Sequence, residues 1–175
     1  MASTFLRTDV EGLARTNSTV VVAEVLSTES YWNDNADFIL TEVHLQVSEA
    51  IKGADRNTEM VVTLPGGTVG DLSTLLIGGA QLQTGASYLL FLSKANLPGA
   101  RGVKTVRDHA QGVFRIVDSQ GQSRAISQAN GLHLIADAKG LTQPPGGEVG
   151  LELDTLLESL RSMSDDTSTQ QEVNR

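Results

Sequence analysis

Between Ile39 and Ile51 the chain alternates with a period of two. Ile39, Thr41, Val43, Leu45, Val47, Glu49 and Ile51 share one face, while Glu42, His44, Gln46 and Ser48 share the other. That alternation predicts a β-strand, Phe38–Ile51, with one side buried and one side wet. Strands this long bend around a barrel. Thr19–Ser27, rich in β-branched residues, predicts a partner strand. The polar Tyr31-Trp32-Asn33-Asp34-Asn35-Ala36-Asp37 between them reads as a hairpin turn. Lys52-Gly53-Ala54-Asp55-Arg56-Asn57 then turns the chain into a strand at Glu59–Leu64.

After Pro65 comes a glycine-punctuated excursion, Gly66-Gly67-Thr68-Val69-Gly70, with a short strand expected at Leu75–Ile77 ahead of Gly78-Gly79. The apolar run Tyr88-Leu89-Leu90-Phe91-Leu92 marks a core strand, Ser87–Ser93. Ala95–Gly102 contains Pro98-Gly99 and reads as a loop. Val103–Arg107, Gly112–Val117 and Gln122–Ile126 complete the strands, the last two joined across Asp118-Ser119-Gln120-Gly121.

Helical spacing occurs towards the two ends. Leu6, Val10, Leu13 and Ala14 recur at helical intervals, and Thr8 with Glu11 fits a capping box. Gly131–Ala138 reads as a short helix or strand, and Leu153, Leu156, Leu157 and Leu160 mark an amphipathic helix. Short strands without a βαβ rhythm predict a mainly β fold: a closed or partly open antiparallel OB-like β-barrel with a short N-terminal helix and a C-terminal amphipathic helix. The expected division is a barrel over 1–138, a Pro/Gly linker over 139–152, a helix over 153–163 and a disordered tail over 164–175. Pro65-Gly66-Gly67-Thr68-Val69-Gly70 is echoed by Pro145-Gly146-Gly147-Glu148-Val149-Gly150, but one follows a strand and the other precedes a helix. Shared turn chemistry explains the echo better than duplication.

Composition narrows the function classes. The 175 residues suit one domain with tails, and with only 4% aromatics the core is expected to be aliphatic. A net charge of −8 leaves no basic stripe to neutralise phosphates, so nucleic-acid binding is not expected. The absence of cysteine excludes disulfides, thiolate catalysis and cysteine-ligated metals. No apolar run approaches the roughly 20 residues of a spanning helix. The first residues carry no leader pattern, so the chain is either cytoplasmic or exported with a leader removed upstream of Met1.

Candidate chemistry is sparse. His44, His109 and His133 lie in separate segments and lack metal-site spacing. There is no Gly-x-Ser-x-Gly elbow, Ser93-Lys94 lacks the spacing for a serine–lysine pair, and Asp165-Asp166 falls in the expected tail. No catalytic residue, metal or cofactor is therefore expected. Asn33, Asp34, Asn35 and Asp37 offer oxygens but not the EF-hand spacing, and a solvated turn accounts for them. Tyr31 and Trp32 stand out as adjacent aromatics in a polar turn, either anchoring a partner or capping a barrel end. Asp108, His109 and Gln111, just ahead of a strand, form the alternative candidate for an assembled enzyme site. The interaction candidates are thus Tyr31, Trp32, Asp34, Asp37, His109 and Gln111.

Five segments in order carry a family resemblance: Val20-Val21-Val22-Ala23-Glu24-Val25; Glu49-Ala50-Ile51-Lys52-Gly53; Val61-Val62-Thr63-Leu64-Pro65-Gly66-Gly67-Thr68-Val69-Gly70; Gly85-Ala86-Ser87-Tyr88-Leu89-Leu90-Phe91-Leu92; and Ala110-Gln111-Gly112-Val113-Phe114-Arg115-Ile116. Over Leu13–Ile126 the chain resembles exported bacterial domains that are similar to the netrin-like, or tissue-inhibitor-of-metalloproteinase-like, form of the OB barrel. The resemblance implies a secreted or periplasmic barrel without known catalysis. Inhibition by an N-terminal cysteine does not carry over, since this chain has none. Ala80, Leu82 and Ala86 stand where the bacterial group usually has proline, phenylalanine and glutamate. The expectation is a non-enzymatic module that binds another exported protein through barrel-mouth loops, Tyr31-Trp32 and Pro65–Leu82 among them. The sequence leaves its oligomeric state open.

Overall fold

The structure is a computed structural model and describes residues 5–107, 109–119, 121–130, 134–135, 146 and 149–172. The elements run β1 (Phe5–Leu6), α1 (Val10–Thr16), β2 (Thr19–Trp32), β3 (Ile39–Lys52), β4 (Glu59–Pro65), β5 (Gly67–Val69), β6 (Leu72–Thr74), β7 (Ser87–Lys94) and β8 (Lys104–Val106). A single 3-10 turn, His109–Gly112, leads into β9 (Val113–Ser119), β10 (Gln122–Ser127), β11 (Leu134–Ile135), β12 (Leu151–Glu152) and α2 (Leu153–Glu172).

The fold is mainly β, and five of its strands close on themselves in a ring. Going round, β7 pairs with β2, β2 with β3, β3 with β4, β4 with β8, and β8 again with β7. β7 is the branch point. Its residues Leu92–Lys94 pair with β8, while Tyr88–Leu90 pair with β9, which carries β10 and β12 outward. The expected antiparallel ring contains one parallel pair, β4–β8, and the separate β1–β11 pair is also parallel. Three register shifts along β2–β3 let these long strands curve.

The alternation anticipated along β3 holds from Val43 to Ser48, where Val43, Leu45 and Val47 are buried and His44, Gln46 and Ser48 are not. At the ends it fails, since Leu40 is buried beside Ile39 and, past the register shifts, Ala50 packs on the inner core and Ile51 on the outer one. Val43, Leu45 and Val47 join Val21, Ala23, Val62, Leu64, Tyr88, Leu90 and Leu92 in a largely aliphatic core lined by every strand of the ring. A second core lies on the other face of β2, β7, β9 and β10, where Val20, Val22, Leu89, Phe91 and Phe114 meet the two helices. Double-sided coverage explains why β7 reads as an unbroken apolar run rather than an alternation.

Several expectations need correction. Tyr31 and Trp32 belong to β2, which runs on to Trp32, because Thr28–Trp32 pair with Ile39–Val43. The turn proper is Asn33–Phe38, where Asn33 Oδ1 accepts from the backbone N–H groups of Asp37 and Phe38. Leu75–Ile77 is not a strand. The excursion instead forms the small hairpin β5–β6. The cap of α1 is Asp9, whose carboxylate accepts from Gly12 N at 2.8 Å, and not Thr8. The C-terminal helix does not stop at 163 but continues to Glu172, through much of the segment expected to be disordered. The expected linker over 139–152 lies mostly outside the described residues, its last two residues forming β12.

Candidate functional site

The segment between β4 and β7 packs against β2 and β3 through β5 and against the ring core through Ala80, Leu82 and Ala86. The glycine loop is stitched to the β2–β3 hairpin by hydroxyls. Thr68 N donates to Ser30 Oγ at 3.3 Å, Ser30 and Thr41 hydroxyls meet at 2.9 Å, and Thr41 Oγ1 donates to Gly66 O at 2.7 Å. The approach is so close that only glycine fits at 67. Its φ is +136°, and a Cβ there would sit 2.3 Å from Thr41 Oγ1 and 2.4 Å from Ser30 Oγ.

Beyond β6 the backbone of 75–86 is fixed to distant strands. Gly79 N closes a turn onto Leu76 O at 3.0 Å, and Ala110 N donates to Gly78 O at 2.9 Å. The Gln128 side-chain amide grips the backbone of Gln81, accepting from its N–H at 3.0 Å and donating to its carbonyl. Gln83 N donates to Tyr88 Oη at 3.1 Å, and Gly85 N to Val25 O at 2.8 Å. Ala80, Leu82 and Ala86 turn inward and pack on the ring core. Leu72, Leu75 and Ile77 turn outward, exposed at 61%, 78% and 60%.

The Leu75–Gly79 ridge separates two concavities. The first, of about 490 Å³, reaches the inner core at Val43 and Leu64 between walls that include Thr28, Thr41 and Thr68. Its described lining holds no ionisable side chain. The second, of about 600 Å³, has Leu75, Ile77, Ala110 and Ile126 as apolar walls around Tyr88 and Arg115. Arg115 is the one charged side chain among its described lining residues. Gln81 and Gln83 border both.

The residues singled out from the sequence do not converge here. Tyr31 is 8% exposed and its hydroxyl is engaged by Gly99 and Arg101, whereas Trp32 is 37% exposed. Asp34 and Asp37 lie in the exposed hairpin turn, and Asp37 Oδ1 accepts from Asn33 Nδ2 at 2.8 Å. His109 is exposed and opens the 3-10 turn at φ +58°. Gln111 is buried and bound to the N-terminal segment, accepting from Thr8 N at 2.8 Å and donating to Leu6 O at 2.9 Å. Asp108 and His133 lie outside the described residues. His44 pairs with Glu42 at 2.8 Å on the outer face of β3. Among the described residues no three His, Asp or Glu side chains are grouped to hold a metal, and no helix is long and apolar enough to cross a membrane.

Sequence reasoning missed Arg115. The signal was available: Val113, Arg115 and Val117 fall on one face of a strand, which sets an exposed arginine in line with the buried Val113. Arg115 lies opposite Tyr88 on one side and Ile126 on the other, at the rim of the ring.

No protein-family model, curated protein or solved structure matches this chain.

Proposed function

We propose that this chain is a non-catalytic, exported binding module on an OB-type barrel, holding a protein partner with the loops at one mouth of its strand ring. The observation that carries the reading is the exposure of Leu75 and Ile77 on the Leu75–Gly79 ridge, whose backbone is tied at Leu76, Gly78 and Gly79. Scattered surface leucines are ordinary, but Leu75 and Ile77 stand two residues apart and wall the same concavity beside Gln81 and Gln83, and an apolar group rimmed by polar residues marks an interaction surface. A loop fixed at both ends to a rigid sheet loses little freedom on binding, which favours affinity. The five-membered ring with a single parallel pair suits a five-stranded Greek-key barrel of the OB type. The extracytoplasmic compartment comes from the resemblance to exported netrin-like domains.

Panning random peptides against the folded chain tests this reading. Binders are expected whose affinity falls at least tenfold in the double variant Leu75→Ser, Ile77→Ser. The same binders should be unaffected by Val103→Ser, which removes an equally exposed apolar side chain away from the ridge. Binders indifferent to the ridge, or none tighter than millimolar, would sink it.

A further inference from the structure

Resting on that reading of the ridge, we infer that the second concavity receives the free C-terminal carboxylate of a partner chain ending in an aliphatic residue, with Arg115 as the anion anchor. The first support is electrostatic. Among the described arginines, Arg15, Arg56, Arg101 and Arg161 pair with glutamates, Arg124 donates to backbone carbonyls, and Arg7 is buried and engaged. The Arg107 and Arg115 side chains are exposed and held by no ion pair or hydrogen bond among the described residues, although the chain carries a net charge of −8, and of the two only Arg115 lines either concavity. A planar guanidinium with five donors beside apolar walls is suited to bidentate capture of a carboxylate. One cation with no other charge in the described lining matches a single negative charge and opposes a cationic ligand.

The second support is the shape and chemistry of the walls. Leu75, Leu76, Ile77 and Ile126 line the same concavity as Arg115 with aliphatic surface, so the group next to the carboxylate is apolar. The volume of about 600 Å³ admits a terminal residue and its neighbour. The side chains of Gln81 and Gln83 border the concavity without a hydrogen bond of their own, which suits peptide amides better than a bare acyl chain. Both glutamines also border the first concavity, so a peptide can continue over the ridge into a groove whose described lining is uncharged. The occupant is therefore a peptide C-terminus rather than a fatty acid.

The test uses N-acetylated hexapeptides ending in Leu, Ile, Val, Lys or Asp, each as the free acid and as the C-terminal amide, with decanoate alongside, titrated into the full chain and followed by amide NMR shifts. The aliphatic free acids are expected to bind best. Amidation, or Arg115→Gln, should each weaken them by roughly tenfold to a hundredfold, as for a lost hydrogen bond to a charged group. Combining the two should add little, and Arg115→Lys should restore part of the affinity. The thermal midpoint should be unchanged in both variants, because Arg115 is exposed. Equal binding of acids and amides, indifference to Arg115→Gln, no binding of any aliphatic free acid at millimolar concentration, or Arg115-dependent binding of decanoate alone would each overturn the assignment. If binding responds to Leu75→Ser with Ile77→Ser but not to the carboxylate or Arg115, the ridge remains a contact surface and only the anchor falls. If nothing responds to either, both fall.

Discussion

Tyr31 and Arg101 hold each other by two contacts, and Gly99 adds a third to Tyr31. The Tyr31 hydroxyl accepts from Arg101 N at 3.0 Å and donates to Gly99 O at 3.1 Å, while the Arg101 guanidinium lies 4.0 Å above the Tyr31 ring. One side chain at the end of β2 thus fastens the loop between β7 and β8 to the β2–β3 hairpin. Successive strand residues point to opposite faces, so the same geometry turns Trp32 away from that loop. The adjacent aromatics have separate roles: Tyr31 packs, and Trp32 remains available to solvent.

Tyr31→Phe keeps the ring and the cation–π contact but strands a backbone donor and acceptor. The expected loss is about 1–2 kcal/mol in urea unfolding. Trp32→Ala, by contrast, should change stability by no more than roughly 0.5 kcal/mol, as for a surface position. Equal effects of the two would contradict the division of roles.

Gln111 closes the N-terminal segment onto the sheet. Its amide is matched to both ends of a short stretch, Thr8 N and Leu6 O, beside the parallel β1–β11 pair. Gln111→Ala should raise amide exchange at Leu6–Thr8 well before it affects β7. Its global cost should be about 1–3 kcal/mol. Gln111→Glu keeps an acceptor for Thr8 N but sets a carboxylate against Leu6 O, so it should be no better than alanine at neutral pH. Unchanged exchange at Thr8 in both variants would show that the clamp does not hold the segment.

How far the sequence reached follows from how local each signal was. The period of β3 and the leucines of α2 are read within one element, and the leucines and the Val43–Ser48 part of the period are present in the structure. The end of β2 was misplaced because Tyr31-Trp32-Asn33 is polar enough to look like a turn, while its strand character comes from partners at Ile39 and Leu40. Leu75–Ile77 looks like a strand by composition, yet the glycines on either side and the anchors at Ala110 and Gln128 hold it as a loop. Those anchors lie dozens of residues away, beyond any local pattern. Gln111 was noticed beside His109, but its partners Leu6 and Thr8 follow only from the packed fold. Arg115 needed register rather than composition.

Gly67→Ala tests the stitching of the glycine loop. A Cβ would meet two hydroxyl oxygens that are already hydrogen-bonded to each other, and φ at +136° is foreign to alanine. The variant should lose more than about 1–3 kcal/mol, the usual cost of a strained backbone position alone. Gly70→Ala makes the control: φ is also positive, at +60°, but nothing lies within 4 Å of the added carbon. Its loss should be nearer 1 kcal/mol, roughly the glycine preference for that region. Similar thermal midpoints for the two would mean that the close approach to Ser30 and Thr41 is not what fixes the loop.

The last prediction concerns α2. Leu156, Leu157 and Leu160 sink into the outer core with Leu13, Phe91 and Phe114, so the helix covers a hydrophobic face of β7 and β9. Leu160 is 1% exposed, and Leu160→Ala should cost about 2–5 kcal/mol, the range for emptying a packed leucine site. Arg161 follows it but turns outward to Glu49 at 3.1 Å, sharing that carboxylate with Arg56. Both arginines are roughly half exposed or more, so Arg161→Ala should fall within about 1 kcal/mol of the parent. Ending the chain after Gly150 removes β12 and every leucine of α2, uncovering Phe91 and Phe114, whose rings lie 5.9 Å apart. That truncation should aggregate or bind a hydrophobic dye. If it remains monomeric and melts as the full chain does, α2 is not part of the folding unit.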